Sequence, residues 1–216
     1  MIALIDYGAG NLTSVKKALA AIEADVFVPA APDDLARATG VIVPGVGHFG
    51  ATTALDSRWR AAILERLGHG RPLLGICLGM QWLFEGSDEA PDCPGLGVVS
   101  GTCYRLRGTA GGGVNGASAP AMPASLPRIK VPHVGWNALS ICRRDSIVNG
   151  IDTGAQVYFT HSYVAPTGRD TVAVTEHGET FAAVMQTGQV AGLQFHPEKS
   201  GEVGLRFLRN FLERAR

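Results

Sequence analysis

The sequence predicts a single α/β domain spanning residues 1–216, with a mostly parallel central sheet covered by helices on both faces and additional antiparallel strands in the second half. In the first half, short runs that are apolar throughout alternate with helix-like runs, which is typical of a buried parallel sheet. In the second half, strand-like runs follow one another with only turn residues between them. A chain of 216 residues that is 46% hydrophobic can bury one sizeable core.

The first half alternates between the two kinds of element. Strands are predicted from the apolar runs at 1–5, 25–28, 40–45 and 72–76. Helical segments are predicted at 12–22, 33–38, 58–67 and 78–85, of which 33–38 is a short helix or a turn. Asn11 precedes the first of these helices and can cap it, because its side chain can accept a hydrogen bond from an unpaired backbone N–H.

The second half is rich in strand-like sequence. Strands are predicted at 97–106, 158–164, 171–177, 181–186 and 190–195. The last segment, 201–216, places leucines and phenylalanine on one helical face and arginines on the other, so we expect a helix packed back on the sheet. Residues 107–127 are almost all Gly, Ala, Ser and Pro, which predicts a mobile loop inserted in the domain.

Composition excludes several classes of function. The formal net charge is zero, so nothing in the charge balance favours nucleic acid or an anionic membrane as partner. No apolar run approaches the roughly 20 residues that span a bilayer, and the N-terminus lacks the pattern of a signal peptide. None of the four cysteines lies in a CxxC pair, so we expect reduced thiols, a cytoplasmic protein, and neither a metal nor an organic cofactor.

One cysteine lies where a parallel sheet collects its reactive groups. In PLLGICLGMQ (72–81), Cys77 follows an apolar strand and precedes a helical run, with glycines at 75 and 79. This pattern is the cysteine counterpart of the nucleophile elbow, in which flanking glycines relieve clashes at a sharp strand-to-helix turn. The helix dipole would stabilise the thiolate, and the N–H of Leu78 would face an oxyanion. The alternative is a small buried apolar residue, as most unpaired cysteines are.

A base for that nucleophile is available near the C-terminus. His196 follows the last apolar strand, and Glu198 lies two residues further, on the same side of an extended chain. These residues would complete a Cys–His–Glu set in which histidine moves the proton and glutamate orients the histidine. A third stretch, VPGVGHFG (43–50), follows another strand and could offer a second backbone N–H to an oxyanion. A surface histidine and a tight turn are the alternatives for these two features taken singly.

Together, PGVGHFG (44–50), GICLGMQ (75–81) and QFHPEKS (194–200) resemble the class I, or triad, glutamine amidotransferases. DYGAGN (6–11), PHVGWN (132–137) and YFTHSY (158–163) extend the resemblance to the glutaminase subunits of imidazole glycerol phosphate synthase. The resemblance spans nearly the whole chain. It implies hydrolysis of L-glutamine without a cofactor or metal, and delivery of ammonia to a (β/α)-barrel cyclase subunit in a heterodimer.

The resemblance also implies roles for individual positions. The implied catalytic residues are Cys77, His196 and Glu198, with oxyanion donors at Gly47 and Leu78. The implied glutamine-binding positions are Gly45, Gln81, Ser162 and Tyr163, and the positions near the cyclase are Asn11, Trp136, Tyr158 and Lys199. His161 would shape the pocket rather than take part in the chemistry. The segment 107–127 is longer and simpler than the family leads us to expect.

Two other functions share the same fold. A free-standing cysteine amidohydrolase, or a glutaminase of another amidotransferase system, would use the same three residues and would work fully alone. A catalytically silent scaffold would bind a partner without needing Cys77, His196 and Glu198 together. The dependence of ammonia release on the cyclase and on Cys77 distinguishes these possibilities.

Overall fold

The computed structural model describes residues 1–107 and 129–216, which form four α-helices and thirteen β-strands. The helices are α1 (Leu12–Ala20), α2 (Ser57–Gly68), α3 (Leu78–Trp82) and α4 (Gly201–Arg214). The strands up to residue 107 are β1 (Ile2–Leu4), β2 (Val26–Phe27), β3 (Gly40–Gly45), β4 (Leu73–Cys77), β5 (Gly86–Ser87) and β6 (Thr102–Arg105). The later strands are β7 (His133–Ala138), β8 (Ser140–Ile141), β9 (Gln156–His161), β10 (Tyr163–Val164), β11 (Thr171–Glu176), β12 (Thr180–Thr187) and β13 (Val190–Leu193). Short 3₁₀ turns lie at Pro32–Arg37, Phe49–Ala54, Ser146–Val148 and Pro197–Lys199.

One eight-stranded sheet organises these elements, in the order β2-β1-β3-β4-β13-β12-β11-β8. The five strands from β2 to β13 are parallel to one another. The remaining three, β12, β11 and β8, are antiparallel to their neighbours. The fold class predicted from the sequence is therefore confirmed. Because β13 lies beside β4, the strand that leads to His196 runs next to the strand that ends at Cys77.

Helices cover both faces of the sheet. Along β3 the side chains alternate between two apolar clusters: Ile42 packs in one with α1 and α4, and Val41 and Val43 pack in the other with α2 and α3. Such a strand is buried on both sides, which explains why the predicted strands are apolar throughout. Phe207 and Phe211 on α4 are fully buried, each worth roughly 1.5–3 kcal/mol as an upper figure.

Several predicted boundaries differ from the structure. The helix predicted at 78–85 ends at Trp82, because the carbonyl of Trp82 accepts a hydrogen bond from Leu96 and that of Leu83 accepts from Val98 and Val99. The run at 97–106 forms a strand only from 102 to 105. The run at 158–164 is divided between β9 and β10, and the run at 190–195 ends as a strand at 193.

Two smaller sheets lie outside the main one, with the orders β10-β6-β5 and β7-β9. The sequence pattern does not predict strand β7, because this strand contains Gly135 and Asn137, residue types that are depleted in strands. It pairs with β9 in antiparallel register, with His133 opposite His161. This pair of strands borders the end of the parallel sheet that carries Cys77, since the carbonyl of Tyr158 on β9 accepts a hydrogen bond from the N–H of His196.

Except for Arg107, the segment 107–127, predicted as a loop, lies outside the described residues. Within the described ranges, no helix has both the length and the apolar character needed to cross a membrane.

Candidate active site

Cys77 occupies a strained turn between β4 and α3. Its backbone has φ +53° and ψ −109°, a region that non-glycine residues rarely adopt and that costs about 1–3 kcal/mol. A Cβ atom on Gly79 would overlap the carbonyl of Val43, and one on Gly75 would meet the backbone of Gly79. The two glycines therefore let β3, β4 and α3 pack closely around the cysteine, in agreement with the steric reason inferred from the sequence.

His196 and Glu198 lie just beyond β13, the parallel neighbour of β4. The His196 Nδ1 lies 2.8 Å from the Glu198 Oε1, and the two side chains are only 3% and 2% exposed. Ser200 fixes the turn, since its Oγ donates to the His196 carbonyl at 2.6 Å and accepts from the N–H of Tyr158 at 3.0 Å. The imidazole ring is thus oriented by a buried carboxylate on a rigid turn.

The charge state of His196 follows from its neighbours. Burial alone lowers the pKa of this imidazole, but the negative charges and hydrogen-bonding capacity of Cys77 and Glu198 outweigh burial and raise the pKa to about 10. These neighbours therefore favour the imidazolium form of His196 at neutral pH. Its Nε2 is buried and has no partner within full hydrogen-bond distance among the described residues, so Cys77 acts on it from beyond that distance and the N–H stays available for transfer.

The Cys77 sulfur is held by contacts from two further residues. The Gln194 side-chain amide donates to Sγ at 3.7 Å, and the carbonyl of Thr160 lies 4.0 Å from Sγ. Gln194 is fully buried, and it is absent from the site residues that the sequence predicts. No sequence pattern singles out Gln194, because the chain turns at Pro197–Lys199 and residues 194–198 do not alternate along one extended strand.

A cavity of about 240 Å³ opens beside Cys77. Its described lining residues are Val46, Gly47, Cys77, Leu78, Gln81, Glu89, Pro132, Thr160, His161, Ser162 and Tyr163. These include all the positions that the family resemblance assigned to glutamine and to the oxyanion except Gly45. Gly45 lies at the end of β3, where a Cβ atom would meet the Tyr7 hydroxyl and, at 2.9 Å, the Leu78 Cβ.

The two candidate oxyanion segments have different geometry. The N–H of Leu78 opens α3 and so has no partner within the helix. In the facing loop, the N–H of Val46 donates to the carbonyl of Ala9 at 3.4 Å, and Gly47 has φ +100°, which a glycine adopts without strain. The Val46 amide is therefore engaged by the β1–α1 loop, and Leu78 and Gly47 remain the candidates.

Gln81 and Glu89 contribute polar groups to the cavity wall. The Gln81 amide donates to the carbonyl of Tyr163 at 2.8 Å and to the Gln194 Oε1 at 3.2 Å, which ties the floor of the cavity together. Glu89 is the one acidic side chain among the described lining residues, and its Oε2 accepts from the N–H of Phe49 at 2.7 Å. No sequence pattern indicates Glu89, because it lies in a turn-rich stretch without periodicity.

Three of the four residues predicted near a partner, Trp136, Tyr158 and Lys199, form a patch with exposed aromatic surface. Trp136 is 54% exposed and its ring lies 6.0 Å from that of Tyr158, over which the Lys199 ammonium sits at 5.6 Å. Val134, also on β7, is 56% exposed. Asn11 caps α1, as predicted, by accepting from the N–H of Ser14.

Comparison with known proteins agrees with this geometry. The family model described as glutamine amidotransferase class-I matches residues 3–215. Similar curated proteins include the imidazole glycerol phosphate synthase subunit HisH of Halobacterium salinarum, 42% identical over 98% of this chain and 92% of that protein. Another is the protein of the same name from Bacillus cereus, 41% identical over 98% of this chain and 93% of that protein.

Solved structures support the fold at lower identity. A crystal structure of a glutamine amidotransferase aligns with a TM-score of 0.72 and 19% identity, covering 100% of this chain and 99% of that one. The structure of PurLQS from Thermotoga maritima aligns with a TM-score of 0.70 and 18% identity, covering 98% of this chain and 97% of that one. With a family model that matches nearly every residue and relatives above 40% identity, the chain belongs to the glutamine amidotransferase class-I family.

Proposed function

We propose that this chain is the glutaminase subunit of an imidazole glycerol phosphate synthase, which hydrolyses L-glutamine and passes ammonia to a cyclase partner in histidine biosynthesis. The observation that carries the proposal is the strained Cys77 at the wall of a cavity, next to a buried imidazolium held by Glu198. The relatives named as subunits of that synthase, which align over nearly their whole length, support the choice of pathway.

The first half of the reaction forms a thioester and releases ammonia. The Cys77 thiolate attacks the side-chain amide carbon of glutamine, and the carbonyl oxygen becomes an oxyanion facing the N–H groups of Leu78 and Gly47. His196 Nε2–H then gives its proton to the amide nitrogen, the C–N bond breaks, and ammonia leaves. Glu198 holds the ring through Nδ1 and stabilises its charged form.

The second half returns the enzyme to its starting state. The His196 imidazole, now neutral, removes a proton from water, and the resulting hydroxide adds to the thioester carbon. The tetrahedral species collapses, the C–S bond breaks, and Cys77 leaves as a thiolate beside the imidazolium. The carboxylic acid formed in this way releases its proton to solvent to give glutamate, and atoms and charges then balance with the chain and water alone.

The amino-acid end of glutamine needs groups for both of its charges. We assign its ammonium to the Glu89 carboxylate, the acidic side chain of the described cavity wall. We assign its carboxylate to the backbone N–H groups at Ser162 and Tyr163, whose carbonyls already accept hydrogen bonds from Leu106 and Gln81. Gly45 would act by holding the 45–47 loop against α3.

For the partner, we propose that a cyclase barrel docks on the patch of Trp136, Tyr158 and Lys199 and on Asn11, which caps the helix α1 that packs against the Pro197–Lys199 turn. Exposed aromatic side chains that lie together are typical of protein interfaces. The patch is also close to the reaction: Tyr158 bonds the turn that carries His196, and Lys199 follows Glu198 directly. Ammonia would then have a short path from the cavity to the docked subunit.

The test compares the full chain with its Cys77→Ala variant. We expect the wild-type chain to release glutamate and ammonia faster when the cyclase subunit is present, and an electrophilic glutamine analogue to label Cys77, as seen by mass spectrometry. Cys77→Ala should neither hydrolyse glutamine nor be labelled, yet should still co-purify with the cyclase. Normal glutamine hydrolysis by Cys77→Ala would refute the mechanism. Full activity of the wild-type chain that is the same with and without the cyclase would indicate a free-standing amidohydrolase.

A further inference from the structure

Three histidines outside the catalytic set lie side by side next to the cavity. His161 is 8% exposed and lines the cavity, and His133, its partner across β7 and β9, is 1% exposed. The ring of His177 stacks on that of His133 at 4.0 Å. No group of metal-ligating side chains suited to an ion occurs in the described part of the chain, and the nitrogens of these rings are used in other ways.

Hydrogen bonds join His161, His133 and Asn137 into what we name the histidine ladder. His161 Nδ1 lies 3.1 Å from the carbonyl of Tyr163, and His161 Nε2 lies 3.2 Å from His133 Nδ1. His133 Nε2 then lies 2.9 Å from the Asn137 Oδ1, and the Asn137 amide donates to the carbonyl of Glu176 at 2.8 Å. Both ends of the ladder are therefore backbone carbonyls, which can only accept.

Counting protons shows that a neutral ladder is one proton short. The three contacts between the Tyr163 carbonyl and the Asn137 oxygen each need one N–H, but two neutral imidazoles carry only two. In one of the three contacts, two acceptor atoms then face each other with no proton between them. Exchanging the oxygen and nitrogen of Asn137 merely moves this unfavourable contact to the Glu176 carbonyl. One added proton on the pair completes every hydrogen bond with Asn137 in the orientation observed.

The groups around the ladder decide when that proton can bind. Phe159 and Phe181 pack against its rings and keep water away. His177 uses its Nε2 on the carbonyl of Lys130, and the positive charge of His196 opposes a second cation nearby. On the cavity side, the charged groups are the carboxylate of Glu89 and the Cys77 sulfur.

Burial disfavours a positive charge on the ladder. Burial lowers the pKa of His133 to about 4, with a smaller opposing effect from Asn137. Burial, followed by the charge of His133, lowers the pKa of His161 to about 3. The hydrogen-bond geometry thus favours one additional proton on the His133–His161 pair, whereas the apolar surroundings disfavour the positive charge that this proton brings. A negative charge added in the cavity would offset the cost of burying that positive charge.

Given the proposed function, we propose that His133 and His161 together take up one proton from solvent when the carboxylate of glutamine enters the cavity, and so act as positioning residues for the amino-acid end of the substrate. The charge is shared by His161, which lies in the cavity wall beside Ser162 and Tyr163, and by His133 behind it. His161 Nδ1 is hydrogen-bonded to the Tyr163 carbonyl, and a positive charge on His161 strengthens that bond. The stronger bond also fixes the turn that faces the substrate. Because binding takes up a proton, affinity for glutamine should fall as pH rises.

The test measures proton uptake by calorimetry in the Cys77→Ala background, where glutamine binds without being hydrolysed. L-glutamine is titrated into the full chain near neutral pH, in two buffers of different ionisation enthalpy. We expect net proton uptake with His133 present, and its loss in His133→Phe, which keeps the stacking on Phe159 and His177. Near neutral pH, affinity should weaken about tenfold in that variant, which by linkage corresponds to a pKa of the glutamine-bound pair about one unit above the measuring pH.

A control and a second variant make the result decisive. His69→Gln changes an exposed histidine bound to Arg66, and should leave proton uptake unchanged. Asn137→Ala removes the acceptor that faces His133 Nε2, so the two protons of a neutral pair satisfy the two remaining contacts and uptake should again be lost. Glutamine binding without proton uptake, or uptake that persists in both ladder variants, would overturn the inference alone. Failure of Cys77→Ala to bind glutamine at all would overturn the proposed function together with it.

Discussion

Replacement of Gly79 by alanine should separate the elements that hold Cys77 in place. The new Cβ would overlap the Val43 carbonyl oxygen and lie 2.8 Å from the Val43 carbonyl carbon. Ordinary contacts of this kind begin near 3.4 Å, and the obstacle is backbone at the centre of a sheet rather than a flexible side chain. Helix α3 must therefore move away from β3 by a large fraction of an ångström.

The size of both effects can be estimated. Overpacking of a well-packed core typically costs about 1–3 kcal/mol, and the backbone obstacle places this change toward the upper end. For a chain of this size that lowers the melting temperature by about 5–10 °C. The same movement displaces the N–H of Leu78 from the loop at Gly47, and a misplacement near 1 Å can cost about 10²-fold in rate. We expect kcat for glutamine hydrolysis to fall by about that factor.

Thermal unfolding followed by circular dichroism and a coupled assay of glutamate release measure the two effects. Gly68→Ala is the matched control, because a Cβ atom at that helical position meets nothing within 4 Å. The control should be as active as the wild type and slightly more stable, by about 0.5–1 kcal/mol. If Gly79→Ala melted and turned over like Gly68→Ala, the steric account of the cysteine turn would be wrong.

Three further predictions concern the charged groups. Glu198→Gln should lower kcat by about 10²- to 10⁴-fold with little change in KM, because the His196 imidazole loses its buried orienting charge. A kcat equal to that of the wild type would exclude this role for Glu198. Glu89→Gln should raise the KM for glutamine about tenfold while kcat changes less, as steady-state kinetics would show. Because the pKa of His196 is raised from 6.5 to about 10, its contribution to folding is complete below the lower value and is lost as pH rises through the higher one. The melting temperature should therefore fall across that range, and fall less in His196→Gln.

The sequence predicts the parts of this site that depend on local geometry. A cysteine between two glycines at the end of an apolar strand specifies a sharp turn, and the structure shows Cys77 at φ +53° with close backbone on both sides. His196 and Glu198 are in contact, but Glu198 lies in the 3₁₀ turn Pro197–Lys199 rather than in the extended chain that the sequence predicts. That the two motifs meet depends on β13 pairing with β4, which no local pattern specifies and which the family resemblance alone implies.

What the sequence could not predict is held by contacts between distant segments. Glu89 reaches the cavity because the turns after α3 fold back to the N–H of Phe49, and Gln194 is recognisable only once its amide is seen on the Cys77 sulfur. The histidine ladder exists only because β7 pairs with β9 and brings His133 opposite His161. Local steric rules can therefore indicate a nucleophile, whereas the charges that hold a substrate arise from tertiary pairing. Changes in β7 should accordingly alter glutamine binding more than they alter the turn that carries Cys77.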